Sequence, residues 1–165
     1  MRTIGIDPGT ARLGFGVIDE TATGDPRAVD FGVITTEAGG EMPTRLCTLF
    51  DHLTGLLRDH APDVLAVEQL FFARNVTTAI TVGQARGIVL LAAAKAGVPV
   101  VEYSPSEIKH AVAGYGKAGK TQMQEMVRIV LGLSSVPEPD DAADALAVAL
   151  CHAQTAPFLA RTGTS

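Results

Sequence analysis

The sequence predicts an α/β fold in which a five-stranded mixed sheet carries helices on both faces. Two observations support this prediction. Three short β-rich runs, separated by turn residues, occupy the first 35 residues, and helical patterns then alternate with short apolar runs. The chain has 165 residues and 47% hydrophobic content, which is enough for one domain with its own core. We therefore expect a single domain at 1–155, followed by a flexible polar tail at 156–165.

The first three strands are predicted at 2–7, 13–19 and 28–35. An Asp-Pro-Gly turn at 7–9 separates the first strand from the second, and a Gly-Asp-Pro turn at 24–26 separates the second from the third. Strands joined by short turns pair in antiparallel fashion. This segment is therefore predicted to form a three-stranded antiparallel meander.

The middle of the chain predicts two further strands that are parallel. Behind Pro43, apolar residues recur at steps of three and four, which indicates an amphipathic helix. The short apolar run at 64–69 is typical of a strand buried on both faces. A long helix is predicted at 75–96 and a fifth strand at 98–104. Because helices separate these strands, we expect them to be parallel.

The last part of the chain predicts three helices. Ser104 to Glu107 form a capping-box sequence that should open a short helix. A second such sequence, Thr121 to Gln124, follows a glycine-rich loop at 114–119 and predicts another helix. We expect Asp140 to cap a final helix at 141–154.

Charge and hydropathy limit the classes of protein that fit. No membrane span is expected, because the longest apolar stretch, 88–94, is broken by Lys95 and Gly97. The first residues lack the apolar region of a secretory signal, so we expect a cytoplasmic protein. The net charge is −5, but the segment 109–128 is locally basic. Such a segment suits contact with a phosphate backbone.

Four acidic residues are predicted to meet at one edge of the sheet. Asp7 and Glu68 each lie at the end of a predicted strand, where α/β sheets usually place their chemistry. Asp141 and Asp144 share one face at the start of the last helix. Clustered carboxylates raise one another's pKa unless a divalent cation neutralises them. Mg²⁺ or Mn²⁺ suits such oxygen ligands, and two ions would activate a water and stabilise a leaving 3′ oxygen.

Each acid also has a simpler interpretation. An Asp before Pro-Gly often only forms a turn, and an Asp in a first helical turn often only complements the helix dipole. Glu68 is harder to dismiss, because a carboxylate that ends an apolar strand is costly unless it is paired or bound. Asp140 could be a ligand in place of Asp141. The three-residue spacing to Asp144 favours Asp141 and leaves Asp140 as the cap.

Five separated motifs resemble the RuvC family of bacterial Holliday-junction resolvases. In order along 3–153 they are GIDPGTARLGFGVI, VEQLFFARN, GQARG, IKHAVAGYGKAGKTQ and DDAADALAVAL. The resemblance implies an RNase H-like fold and a homodimer that resolves four-way DNA junctions in recombination and repair by paired symmetric nicks. It also implies a branch-migration helicase complex, RuvA and RuvB, as a partner.

The resemblance assigns the four acids by position. Asp7, Glu68, Asp141 and Asp144 match the family's four metal-binding and catalytic acids, the third of which is a histidine in some members.

The resemblance also suggests residues that contact DNA. Lys109 and Lys120 match DNA-contacting lysines, and Lys117 lies between them in the basic segment. Phe71 matches an aromatic residue that stacks on an unpaired base, although it could instead be core. Arg74 could contact a phosphate or form a surface ion pair.

The long helix carries a stripe of small residues, Ala79, Gly83 and Gly87. Such a stripe lets another helix approach closely, and in a soluble protein this is often internal packing. The resemblance implies instead that this helix forms the dimer interface, and a two-fold dimer suits a junction that needs two identical sites.

Two other functions remain as alternatives. The Asp-Pro-Gly-Thr hairpin at 7–10 is similar to the phosphate loop of actin-like ATPases and sugar kinases, but that architecture needs two domains, and the chain is too short for both. A catalytically silent junction-binding protein is the other alternative. The presence of all four acids argues against it.

Overall fold

The computed structural model describes residues 1–21, 24–69 and 76–162, without the side chains of 76–78 and 157–162. It contains a five-stranded sheet in the order β3-β2-β1-β4-β5. The strands are β1 (Arg2–Asp7), β2 (Arg12–Glu20), β3 (Pro26–Thr35), β4 (Val64–Glu68) and β5 (Val100–Tyr103). The first three strands pair in antiparallel fashion, and β4 and β5 are parallel to β1. The predicted five-stranded mixed sheet is therefore confirmed.

Five helices complete the described part of the chain. They are α1 (Met42–His60), α2 (Val76–Ala96), α3 (Pro105–Ala113), α4 (Lys120–Val130) and α5 (Asp140–Thr162). Buried residues of α1 and α2 form one core with one face of the sheet. Buried residues of α3, α4 and α5 form a second core with the other face. The prediction of helices on both faces is confirmed.

The two faces of the sheet differ in the size of their side chains. Since successive residues of a strand point to opposite faces, Leu13, Phe15 and Val17 of β2 fill the core under α1 and α2. Two of the alternate positions of β2, which lie directly under α5, are Gly14 and Gly16. The glycine-bearing face lets the backbone of α5 approach the sheet closely.

Of the last three helices, one begins as the sequence predicts and two differ from the prediction. Ser104 and Glu107 form the predicted capping box at the start of α3. Helix α4 begins at Lys120 behind Gly119, which takes an extended conformation, so the predicted cap at Thr121 is wrong because that residue is already helical. Helix α5 begins at Asp140 itself and continues to Thr162 rather than ending near 154.

One described helix segment, Ala79–Ala96 of α2, is long and apolar enough to cross a membrane, with a mean hydropathy of 1.2. The sequence expectation concerned an uninterrupted apolar stretch, and Arg86 and Lys95 interrupt this segment. Only 22% of the segment is buried within the chain. Its outward face is apolar and carries Ile80 and Leu91, which are 57% and 50% exposed.

Candidate active site

Asp7 and Glu68 lie at the same edge of the sheet. Asp7 is the last residue of β1 and is paired with Gly14 of β2. On the other side of β1, Ile6 is paired with Val67 of the parallel strand β4, so Glu68 follows at the carboxyl end of that strand. The backbone register thus places the two carboxylates on neighbouring strands, as the sequence predicts.

The start of α5 brings the other two acids to this edge. A Cβ added to Gly14 would lie 2.0 Å from the carbonyl oxygen of Asp141, and one added to Gly5 would lie 2.1 Å from that of Ala145. No side chain fits in either gap. Glycine at these positions therefore lets Asp141 lie directly against Gly14, the residue of β2 that is paired with Asp7. Asp144 follows one turn later on the same helix.

The four carboxylates influence one another electrostatically. The pKa of Asp7 is raised from 3.8 to about 7, chiefly by burial and then by the charges of Asp144, Asp141 and Glu68, against the opposing effect of Lys120. A carboxyl group with this pKa is protonated in about half of the molecules near neutral pH when no cation is bound.

Glu68 and Asp144 respond in the same direction. The pKa of Glu68 is raised by burial and by Asp144, while Lys109 lowers it. The pKa of Asp144 is raised chiefly by burial, with Lys120 opposing and the neighbouring carboxylates adding to the rise. The site is thus an acidic pocket that two lysines only partly neutralise.

The donor set fits a hard divalent cation, although the ligands are not gathered around one point. Among the described residues, no three Asp, Glu, His or Cys side chains are close enough to hold a metal ion as they stand. Arg12 Nε lies 3.1 Å from Oδ2 of Asp141, yet this buried oxygen accepts no well-formed hydrogen bond. Carboxylate oxygens, one of them lacking a donor, are suitable ligands for Mg²⁺ or Mn²⁺.

A cleft of about 240 Å³ joins the acids to the basic segment. Glu68 and Asp144 line it together with Lys109 of α3 and Lys120 of α4. The structure therefore brings two of the three predicted DNA-binding lysines to the acids. Lys117 lies on the exposed loop between α3 and α4 and does not line this cleft.

The structure separates Asp140 from Asp141. Oδ2 of Asp140 lies 2.8 Å from Nζ of Lys120, and its Oδ1 accepts a hydrogen bond from Gln124. The side chain of Asp140 is 60% exposed, whereas that of Asp141 is 23% exposed. Because Asp141 acts on the pKa of Asp7 and Asp140 is occupied by Lys120, Asp141 is the better placed of the two.

Comparison with known proteins identifies the family. Residues 3–152 match the family described as crossover junction endodeoxyribonuclease RuvC. The chain belongs to this family. A RuvC from Chloroflexus aggregans is 59% identical over 165 residues, covering 100% of both chains. One from Thermomicrobium roseum is 57% identical over 155 residues, covering 93% of each chain.

Solved structures agree with the RuvC assignment. The structure titled T. thermophilus RuvC in complex with Holliday junction substrate has a TM-score of 0.89 and 40% sequence identity, covering 99% of this chain and 97% of that one. The yeast mitochondrial Holliday junction resolvase has a TM-score of 0.69 at 15% identity, covering 96% of this chain and 82% of that one, which shows a shared fold. The five-stranded mixed sheet with helices on both faces is thus the RNase H-like fold of these resolvases. A kinase-type phosphate-binding domain is not supported.

The remaining predicted site residues are two further DNA contacts and the small-residue stripe of α2. Phe71 and Arg74 lie outside the described residues. On α2, Ala79 and Gly83 are half-buried and Gly87 is exposed, with open space where its Cβ would be. The small-residue stripe therefore opens outward at Gly87.

The sequence analysis missed residues that position the acids but are not themselves acidic. Arg12 pairs with Asp141 across the start of α5. Gly5, Gly14 and Gly16 make room for that helix. The glycines could have been noticed, because they lie at alternate positions of predicted strands where a side chain would normally pack.

Proposed function

We propose that this chain is a structure-selective endonuclease that resolves four-way DNA junctions by hydrolysing phosphodiester bonds in paired, symmetric nicks. The observation that carries the proposal is the cleft in which Glu68 and Asp144 face Lys109 and Lys120. Carboxylates there suit metal-dependent hydrolysis, and the lysines suit a phosphate backbone. The similar RuvC solved with a Holliday junction substrate supports this choice of DNA.

RuvC enzymes are metal-dependent nucleases, and we propose Asp7, Glu68, Asp141 and Asp144 as the catalytic and metal-binding residues, with Mg²⁺ or Mn²⁺ as the ion and two ions per site. When bound, such ions supply an activated water and charge stabilisation for the leaving 3′ oxygen. Asp7 contributes a carboxylate whose proton must leave before it can bind a cation, because its pKa is raised to about 7.

The lysines of the cleft are proposed to hold the DNA strand against these acids. Lys109 acts on Glu68 across the cleft, and Lys120 reaches both Asp140 and Asp144, at 2.8 Å and 3.8 Å. A phosphate that enters the cleft meets two ammonium groups within reach of the carboxylates. Outside the cleft, we propose Lys117, Phe71 and Arg74 as further DNA contacts, on the basis of the family motifs.

We also propose that the protein is a homodimer that joins through α2. The outward face of this helix carries Gly87 between the exposed apolar residues Ile80 and Leu91. Water-exposed apolar side chains around a small-residue stripe favour close contact with a second helix. The stripe of Ala79, Gly83 and Gly87 would lie at the centre of that contact. Two-fold symmetry would present two identical sites to a junction.

The remaining proposals concern the setting of the enzyme. We propose that residues 1–155 form a single nuclease domain, which the family match over 3–152 supports. A flexible tail at 156–165 stays a prediction, although helix α5 extends into it as far as Thr162. A cytoplasmic location and a partnership with the RuvA and RuvB branch-migration complex follow from the family resemblance.

The test is cleavage of synthetic four-way junctions in Mg²⁺ or Mn²⁺, with linear duplex of the same sequence as the control substrate. We expect paired nicks at symmetric positions on the junction and little cleavage of the duplex. Asp7→Asn and Glu68→Gln should lose cleavage while junction binding survives, because they remove proposed ligands without touching the phosphate contacts. Binding without nicking by the unaltered protein would support the silent alternative, and retained nicking in either variant would exclude the assigned site.

A further inference from the structure

Arg86 connects the outward-facing helix α2 to the strand that carries Glu68. Its side chain is 13% exposed, so most of this charged group is removed from water. One guanidinium nitrogen, Nη1, donates a hydrogen bond of 3.3 Å to the backbone carbonyl oxygen of Glu68. A second guanidinium nitrogen, Nη2, donates to the carboxylate of Glu102. A largely buried arginine with two fixed partners is a built contact rather than a mobile surface charge.

The two partners of Arg86 belong to neighbouring strands at the same edge of the sheet. Glu102 of β5 is paired with Val67, and Glu68 is paired with Tyr103. Arg86 thus spans the carboxyl ends of β4 and β5, where the regular ladder stops. The backbone amide of Gln69 still donates to the carbonyl of Tyr103, which fixes the other side of the same peptide segment. The backbone of Glu68 is therefore held from both sides.

Arg86 binds the main chain of Glu68 and leaves its carboxylate free. The carboxylate of Glu102 compensates the positive charge of the guanidinium. Besides burial, Asp144 and Lys109 act on the pKa of Glu68, and the hydrogen bond from Arg86 goes to the backbone carbonyl oxygen instead. An arginine arranged in this way can orient a neighbouring carboxylate without competing with a cation for it.

We propose that Arg86 is a positioning residue that fixes the end of β4 against α2 and thereby sets the direction in which Glu68 enters the active site. The inference rests on the proposed role of Glu68. The apolar outward face of α2 is the surface that we propose forms the dimer. A shift of α2 in the dimer would therefore move Arg86 and, through its hydrogen bond, the backbone of Glu68.

The experiment compares Arg86→Gln, Arg86→Lys and the control Glu102→Gln. Single-turnover cleavage is measured at saturating protein, together with junction affinity in EDTA, sedimentation velocity, and the binding of Mn²⁺ alone by calorimetry. We expect Arg86→Gln to slow cleavage by about tenfold or more and to weaken Mn²⁺ binding, because misplacing a reacting group by an ångström or less is costly, with affinity and dimer unchanged. Arg86→Lys should recover part of the rate. Glu102→Gln should stay within about threefold of the parent, because Arg86 keeps its bond to Glu68.

Several results would overturn the proposal. One is cleavage and Mn²⁺ binding by Arg86→Gln within about twofold of the parent, since a positioning role predicts a larger loss. Another is a loss of affinity or of the dimer in proportion to cleavage, which would make the role purely structural. If Arg86→Gln does not fold, parental Mn²⁺ binding and cleavage by Arg86→Lys would overturn it equally. Failure of the proposed function is recognised separately, by a parent protein that does not nick junctions, and the Mn²⁺ comparison then still decides the role of Arg86.

Discussion

The close approach of α5 to the sheet makes Gly14 a sensitive position. In a Gly14→Ala variant the new Cβ would lie 2.0 Å from the carbonyl oxygen of Asp141 and 3.2 Å from its Cβ. The obstructing atom belongs to the backbone of a helix, so it cannot rotate away. The variant can fold only if the start of α5 moves away from β2.

The size of this movement follows from the distance. A carbon and an oxygen in contact without a bond need roughly 3.2 Å, so the helix start must retreat by about 1 Å. Inserting a methyl group into a well-packed region typically costs about 1 to 3 kcal/mol of unfolding free energy. A displacement of 1 Å at a catalytic site can cost about 100-fold in rate. Gly14→Ala should therefore reduce junction cleavage far more than a modest loss of stability explains.

The matched control is Gly55→Ala. Gly55 lies inside α1, and a Cβ added there meets nothing within 4 Å. Alanine is better than glycine in a helix interior by about 0.5 to 1 kcal/mol, so this variant should be slightly more stable and cleave normally. Urea unfolding of both variants checks the stability, and single-turnover cleavage without urea, where both variants are folded, checks the activity. A Gly14→Ala protein that is folded and cleaves at the parental rate would refute the claim that α5 is held at the sheet by the glycines.

Three further perturbations test the electrostatics, the DNA contact and the dimer. Asp7 holds its proton more tightly in the folded than in the unfolded chain. The stability that this proton contributes is therefore full below the ordinary pKa of 3.8 and is lost as pH rises to about 7. The melting temperature in EDTA should fall over that pH range, and it should fall less steeply in Asp7→Asn than in the parent. Lys120→Ala should weaken junction binding and lower the slope of log affinity against log salt by about 1, because one phosphate contact is lost; Arg58→Ala, which removes a side chain 76% exposed on α1, should change neither quantity. Leu91→Glu should dissociate the dimer in sedimentation velocity, whereas Ile129→Glu, which changes a residue 54% exposed on α4, should not. An equal pH response in Asp7→Asn, an unchanged salt slope or an intact Leu91→Glu dimer would each contradict the corresponding assignment.

The sheet could be predicted because its information is local. Strand runs and turn residues follow one another in the first part of the chain, and the strand at 64–69 is a short continuous apolar run. Asp7 and Glu68 could be placed together for the same reason, since both end strands whose carboxyl ends share an edge. The basic segment was also visible, and the fold brings Lys109 and Lys120 from it into the cleft.

What could not be predicted depends on contacts between distant parts of the chain. The pairing of Arg12 with Asp141 and that of Arg86 with Glu102 join elements whose relative position no spacing rule supplies. The start of α4 was misplaced because Thr121 has the sequence of a cap, while Gly119 already has the extended backbone that precedes a helix. The exposed apolar face of α2 could not be predicted, because the sequence does not say which face of this helix packs in the core with α1 and the sheet.

The proposed site draws Asp7 from the first strand and Asp144 from the last helix, so its halves are made at different times. A ribosome adds only about 5 to 20 residues each second, and α5 leaves it last. While the chain is still being synthesised, Asp7 and Glu68 are present before Asp141 and Asp144, which belong to α5. A chain that ends before α5 would lack two of the four proposed ligands, so we expect it not to cut DNA. The order of the elements along the chain thus means that the proposed site is complete only when the last helix has been made.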